Sequence, residues 1–155
     1  NSKMKLISIF TTVAFLVLSS CGYKAVNNSE NYNFQLKNIE IIGDKNINLY
    51  LDRNFKKFQN NNSTKIFDIK LKSEINKTVT SKNSAGKDTS FSLEIVVDLK
   101  IFEKEKLLEN VNFKKNISYN NLDSQFELKQ YENVLIKDLS DQIIFDMNNF
   151  ISSLR

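Results

Sequence analysis

Residues 66–81, IFDIKLKSEINKTVTS, carry the alternating pattern that decides the fold. One side of an extended chain would be apolar here, with Ile69, Leu71, Ile75 and Val79. The other side would be polar, with Lys70, Lys72, Glu74, Asn76 and Thr78. A period of two is typical of a β-strand with one buried face. We therefore expect a long, half-buried strand.

Two further strands follow this segment. In residues 91–102, FSLEIVVDLKIF, one face is again apolar, and the connection KNSAGKD at 82–88 contains Gly86, which can adopt positive φ. The segment EKEK at 103–106 predicts a second tight turn into a strand over 107–119. The alternation of this last strand changes near Lys115, where we expect a bulge. Short connections between consecutive strands predict an antiparallel meander.

Residues 36–59 predict a strand and a helix before the meander. LKNIEII at 36–42 alternates as a strand, and INLYLDRNFKKFQ at 47–59 predicts a helix of about three turns. Its apolar stripe is expected to contain Leu49, Leu51, Phe55 and Phe58. The asparagine run 60–62 would end the helix.

The C-terminal segment changes to a helical period. Ser124 and Glu127 match a capping box. An apolar stripe follows at intervals of three or four: Tyr131, Leu135, Leu139, Ile143, Met147, Phe150 and Leu154. The pattern predicts an α+β two-layer sandwich of β-α-β-β-β-α order, with two helices packed on one face of a four-stranded, mostly antiparallel sheet.

The N-terminal residues predict a lipoprotein. Lys3 and Lys5 precede the apolar run LISIFTTVAFLVL, which has the length of a secretory signal. The run ends in Leu18, Ser19, Ser20 and Cys21, an order that resembles a bacterial lipobox. We expect residues 1–20 to be the signal peptide, 21–35 a lipidated N-terminus and flexible tether, and 36–155 one domain. An uncleaved signal anchor is the alternative.

Lipidation would attach S-diacylglycerol and an N-acyl chain to Cys21, the only cysteine of the chain. Two or more acyl chains give stable membrane attachment. No thiol would then remain for a disulfide, so the core alone must stabilise the fold. No other cofactor is expected.

The composition argues against several functions. The chain has no histidine, and removing Lys3 and Lys5 from its 22 basic residues leaves 20 against 18 acidic ones. Without histidine or a free thiol the usual catalytic bases, nucleophiles and metal ligands are missing. Asp138 and Asp141 would share a helical face, which a solvated surface explains. We expect neither an enzyme, nor a metal site, nor nucleic-acid binding.

The lipobox ending in CGY, the order of elements, the hairpin around KNSAGKD and the terminal segment YENVLIKDLSDQIIFDMNNF together resemble the LptE family of lipopolysaccharide-assembly lipoproteins. The resemblance covers essentially the mature chain. It implies an outer-membrane lipoprotein on the periplasmic side, which plugs the β-barrel LptD, assists its assembly and promotes insertion of lipopolysaccharide. LptD, lipopolysaccharide and the membrane would be its partners.

Lipopolysaccharide carries phosphates, so lysines would be expected at a contact. Lys70, Lys72 and Lys114 are the candidates, because they project from the outward face of the sheet and could converge. A solvated sheet face protected by lysines is the competing interpretation. A different class remains open: a periplasm-facing lipoprotein that carries a small apolar ligand, or an accessory subunit of another envelope machine. A carrier would need an internal cavity.

Overall fold

The computed structural model describes residues 34–59 and 63–154, all within one compact unit, Asn31–Arg155. The predictions for the signal peptide, for Cys21 and for the asparagine run 60–62 lie outside these residues.

The predicted order of elements is confirmed. The strands are β1, Gln35–Gly43; β2, Ile66–Lys82; β3, Asp88–Glu103; and β4, Lys106–Asn120. The helices are α1, Lys45–Phe55, which continues into a 3₁₀ turn over Lys56–Phe58, and α2, Gln125–Ser153. Neither described helix combines the length and apolar character needed to cross a membrane.

The strands form one sheet in the order β1-β2-β3-β4. β1 runs parallel to β2, from Gln35 opposite Ile66 to Gly43 opposite Ser73, whereas the two later pairings are antiparallel. Because a parallel pair cannot be joined by a hairpin, α1 crosses over the sheet between its two strands. Both helices lie on one face, so the predicted two-layer α+β sandwich is confirmed.

The inner face of β3 is the centre of the core. The apolar face predicted for residues 91–102 is buried there, with six side chains: Phe91, Leu93, Ile95, Val97, Leu99 and Ile101. On β2 the alternation buries Ile69 and Leu71 but not Val79, which is 44% exposed. The prediction for Val79 was wrong because β1 ends opposite Ser73 and α1 begins beside it, so the far half of β2 has less cover.

The predicted stripe of α1 contained one error. Ile47, Leu51 and Phe55 are buried, as is Phe58 in the 3₁₀ turn, whereas Leu49 is 60% exposed. A spacing of four keeps side chains on one helical face, while a residue two positions from Ile47 points to the opposite side. The helix begins at Asp44, whose carboxylate accepts hydrogen bonds from the backbone N–H groups of Asn46 and Ile47.

The predicted N-terminal cap of α2 is confirmed. Ser124 Oγ accepts a hydrogen bond from the backbone N–H of Glu127 at 3.3 Å. Most of the predicted stripe is buried or half-buried, but Tyr131 is exposed and Leu128 takes the buried position near this end of the helix. The Tyr131 ring still contacts the sheet, because it lies edge-on to the ring of Tyr119 on β4, with ring centres 5.9 Å apart.

The predicted bulge at Lys115 was wrong. Lys115 stays in register opposite Ile95 on the inner face, where its Nζ lies 2.7 Å from a carboxylate oxygen of Asp146 on α2. The inward and outward alternation of β4 is therefore regular at this point, although one inward position is occupied by a charged side chain. The irregularity lies near the β3–β4 turn, where Leu108 is inserted between two residues that pair regularly with β3.

A glycine closes β1 where the backbone comes close to β2. Gly43 has φ +111°, and a Cβ there would lie 2.0 Å from the carbonyl oxygen of Ser73. The backbone N–H of the next residue, Asp44, donates to that same oxygen at 3.2 Å. The strand end and the start of α1 thus depend on a residue without a side chain.

We expect Gly43→Ala to lower the free energy of unfolding by about 2 kcal/mol or more, because the methyl group would displace the β2 backbone and strain φ. Urea denaturation followed by circular dichroism measures the loss. Gly86→Ala is the matched control, since Gly86 also has positive φ but has open space around its Cβ position. Equal losses in the two variants would contradict the steric explanation.

Three side chains fasten the first turns of α2 to the sheet. The Tyr119 hydroxyl and the Lys77 ammonium both donate to Glu132 Oε1, each at 2.6 Å. Lys77 Nζ also lies 4.1 Å from the centre of the Phe91 ring. Burial first, and then the hydrogen bond to Glu132, raise the pKa of Tyr119 well above its usual range.

We expect Tyr119→Phe to cost about 1.5–3 kcal/mol at neutral pH, because it removes a hydrogen bond to a charged group. The unfolded tyrosine loses its proton near pH 10, while the folded one keeps it, so this contribution is complete below about pH 10 and declines above it. The difference between wild type and variant should therefore narrow in alkali, as measured by urea titrations at several pH values. Tyr131→Phe, at an exposed position, is the control at neutral pH. A difference that stays constant into alkali would refute this role of Tyr119.

Candidate functional site

The helices of the described chain leave the outer face of the sheet uncovered. The inner positions of β2 and β3 are filled with apolar side chains, so alternation places polar ones outward. Polar contacts then form on that face, both between neighbouring strands and along β2. Lys70 Nζ is 2.7 Å from Glu40, Lys72 Nζ is 2.7 Å from Glu74, and the Asn112 amide donates to Asp98 at 2.7 Å.

Two of the three predicted lysines lie beside a shallow depression on this face. Its walls are formed by Glu40, Ile42, Lys70, Leu71, Lys72, Asp98 and Lys100. Lys70 stands directly opposite Lys100 across the β2–β3 pairing. Like charges at opposite positions of an antiparallel pair repel each other. Within the described part of the chain Lys100 forms no ion pair. Asp98, which lines the same depression, balances its charge overall, so three ammonium groups lie together in a depression that is close to neutral.

The third predicted lysine is placed elsewhere on the same face. Lys114 lies on β4 opposite Val96, and its Nζ is 2.6 Å from Glu94, which lies away from the depression toward the β2–β3 turn. The whole of β3 separates it from the lysines of β2. The sheet therefore brings Lys70 and Lys72 together with Lys100 and leaves Lys114 apart.

Two side chains of this face have shifted pKa values. The hydrogen bond and the charge of Glu74 raise the pKa of Lys72, and the hydrogen bond from Lys114 lowers the pKa of Glu94. Both shifts favour the charged forms of these two side chains.

The sequence pattern of a single strand does not identify Lys100 as a neighbour of the predicted lysines. Its outward position follows from the alternation of β3, but its proximity to Lys70 depends on the register between two strands. A hairpin drawn with the turn at Gly86 would have approximated that register. The length of the 82–88 connection is therefore the sequence feature from which the proximity of Lys100 to Lys70 could have been predicted.

The paired aspartates of α2 have ordinary helical partners. Asp141 pairs with Lys137 at 2.6 Å, and Asp138 accepts a hydrogen bond from the Gln142 amide at 3.0 Å. Each partner is four residues away on the same helix. Within residues 34–59 and 63–154, no three His, Cys, Asp or Glu side chains are grouped as metal ligands would be.

The core between sheet and helices is closely packed. Ile95, Val97, Leu99, Ile143 and Met147 have no exposed area. A side chain that lined a water-sized cavity would have some of its surface accessible, so these central residues line none. The middle of the core therefore offers no space to an acyl chain.

Comparison with known proteins identifies the fold but no family. No family model and no curated protein matches the chain. Among solved structures, lipoprotein B of Nitrosomonas europaea has a TM-score of 0.54 at 15% identity, covering 75% of this chain and 83% of that one. The minor lipoprotein of Acinetobacter baumannii has a TM-score of 0.52 at 14% identity, covering 79% and 92%. Rare lipoprotein B of Shewanella oneidensis has a TM-score of 0.50 at 11% identity, covering 73% and 95%. The domain thus shares its fold with lipoproteins of several bacteria.

Proposed function

We propose that the protein is an outer-membrane lipoprotein, attached through an acylated Cys21 and facing the periplasm, that occupies the lumen of the LptD barrel and assists barrel assembly and lipopolysaccharide insertion. The observation that carries the proposal is the outer face of the sheet, which no element of the described chain covers and whose charges are nearly all paired. The fold shared with bacterial lipoproteins and the lipobox-like sequence before Cys21 support it.

A polar lumen is a suitable environment for such a face. The interior of large outer-membrane barrels is polar, and the widest of them hold a plug. Burying a charge without a partner is costly, whereas a charge that already has its partner can be enclosed at a smaller loss. The ion pairs of Lys70, Lys72 and Lys114 would accordingly let this face enter a barrel without leaving buried charges unpaired.

The dimensions of the domain support the same assignment. Four strands at about 4.8 Å spacing and a helical layer about 10 Å away give a cross-section of roughly 20 Å. The 17 residues of β2 extend the domain to roughly 55 Å along the strands. A narrow, elongated domain of this size is suited to the lumen of a wide barrel.

The carrier alternative receives less support. A small apolar ligand would need space between the sheet and helices, and the central core residues named above have no exposed area. An accessory subunit of another envelope machine would share the fold and the anchor, so its partner has to be identified by experiment.

The first test is the recovery of a barrel with the acylated full chain from Gram-negative membranes in mild detergent. We expect a large barrel whose migration changes on heating, and we expect depletion of the lipoprotein to reduce its folded amount. Glu94→Lys should lower the recovery several-fold because it leaves two positive charges side by side next to the barrel wall.

The double variant Glu94→Lys with Lys114→Glu keeps the ion pair in reversed order and serves as the matched control. It should restore most of the recovery. Purification of the acylated protein without a barrel, or with a different membrane assembly, would refute the proposed partner.

For contact with lipopolysaccharide, we propose Lys70 and Lys72 together with Lys100. Within the described residues Lys100 has no ion pair and stands opposite Lys70 beside a depression, where the three ammonium groups could contact one phosphate group. Lys114 would contribute less, since it lies apart from the depression.

Replacing Lys70, Lys72 and Lys100 by alanine should weaken lipopolysaccharide binding about tenfold at low salt, and the difference from wild type should shrink as salt screens the charges. Binding of radiolabelled lipopolysaccharide to the purified lipoprotein measures the effect, with Lys114→Ala as the control of equal chemistry. Full binding by the triple variant at low salt would rule out this contact.

A further inference from the structure

An apolar patch lies at the end of the domain where the chain enters it. Four side chains form the patch: Ile66, Phe102, Leu107 and Leu108. Ile66, Leu107 and Leu108 are 45%, 47% and 40% exposed. Most exposed apolar side chains of a protein are scattered singly, so a contiguous group at one end has a different significance.

The sheet register explains why these residues meet. Leu107 stands opposite Phe102, which stands opposite Asp68, and Ile66 lies two residues before Asp68 on the same outer side. The inserted Leu108 adds a second exposed leucine next to Leu107, where a regular strand would turn it to the opposite face. The bulge therefore enlarges the patch.

The same end of the domain receives the N-terminal segment. Gln35, the first residue of β1, pairs with Ile66, and its backbone N–H donates to the Lys65 carbonyl at 2.8 Å. Phe34 packs against Phe58 and Phe67, with ring centres 5.1 Å and 6.4 Å apart. The segment from Cys21 to Asn33 therefore joins the domain beside the patch.

The length of that segment limits how far the patch can lie from the anchor. Between Cys21 and Phe34 there are twelve residues, which can span at most about 40 Å. A site tethered this closely experiences a local concentration in the millimolar range. Even a weak affinity for lipid would then keep the patch at the membrane surface.

We propose that, while the domain is outside a barrel, the patch formed by Ile66, Phe102, Leu107 and Leu108 rests on the lipid surface into which the acylated Cys21 inserts, so that the domain is oriented as well as tethered. The inference rests on the lipid anchor of the proposed function and does not require the barrel. The turn beside the patch bears Lys104 and Lys106 among Glu103, Glu105 and Glu109, which leaves little net charge. The contact is therefore apolar, and it should not depend on anionic lipids.

The test uses the acylated full chain in vesicles that contain no barrel. After acylation the mature chain has no free thiol, so a single Leu107→Cys variant can carry a nitroxide label. Val79→Cys is the matched control, because Val79 has nearly the same exposure (44%) and lies about 43 Å from Ile66 along β2. Mass spectrometry of each variant first establishes acylation at Cys21.

In vesicles of either zwitterionic or anionic lipid, we expect the label at position 107 to be at least threefold less accessible to a water-soluble nickel relaxant, and more accessible to oxygen, than the label at position 79. The added Leu108→Gln should reduce this difference. Equal accessibility at positions 107 and 79 would overturn the proposal, as would protection that requires a barrel or that rises with protein concentration. Absence of acylation would instead contradict the proposed function.

Discussion

The parallel pairing of β1 with β2 is the constraint on which the rest of the domain depends. Parallel neighbours require a crossover, and α1 supplies it on the inner side of the sheet. Because α1 occupies only the half of the sheet next to β1, the long helix α2 has to cover the remainder. One pairing thus assigns both helices to one layer and leaves the other face of the sheet to water or to a partner.

Periodicity predicted this architecture because each segment buries a single face. The six inward residues of β3 and the cap at Ser124 required only local information. The errors occurred where a neighbouring element decides burial. Val79 is apolar but lies beyond the end of β1, and Lys115 is charged but points inward to Asp146. Leu49 was assigned to the buried stripe of α1, although a spacing of four residues from Ile47 would have excluded it.

The candidate surfaces were less predictable than the fold. Outward lysines on one strand can be read from alternation, but their companions on the next strand follow from register. Lys100 stands beside Lys70 for this reason. The leucines of the β4 bulge likewise lie near Ile66 because β3, between them, pairs with both β2 and β4. Surfaces assembled from several strands are therefore visible only once the pairings are known.

The uneven cover of the sheet also implies an uneven resistance to opening. At the end where β1 begins, four strands and two helices share one core, whereas the far half of β2 has a strand on one side only among the described elements and side chains that are mostly exposed. Segments with few buried contacts open at a lower free energy than the core does. The end of the domain that bears the β2–β3 turn is thus the more pliable one, able to adjust its shape while the end where β1 begins stays rigid.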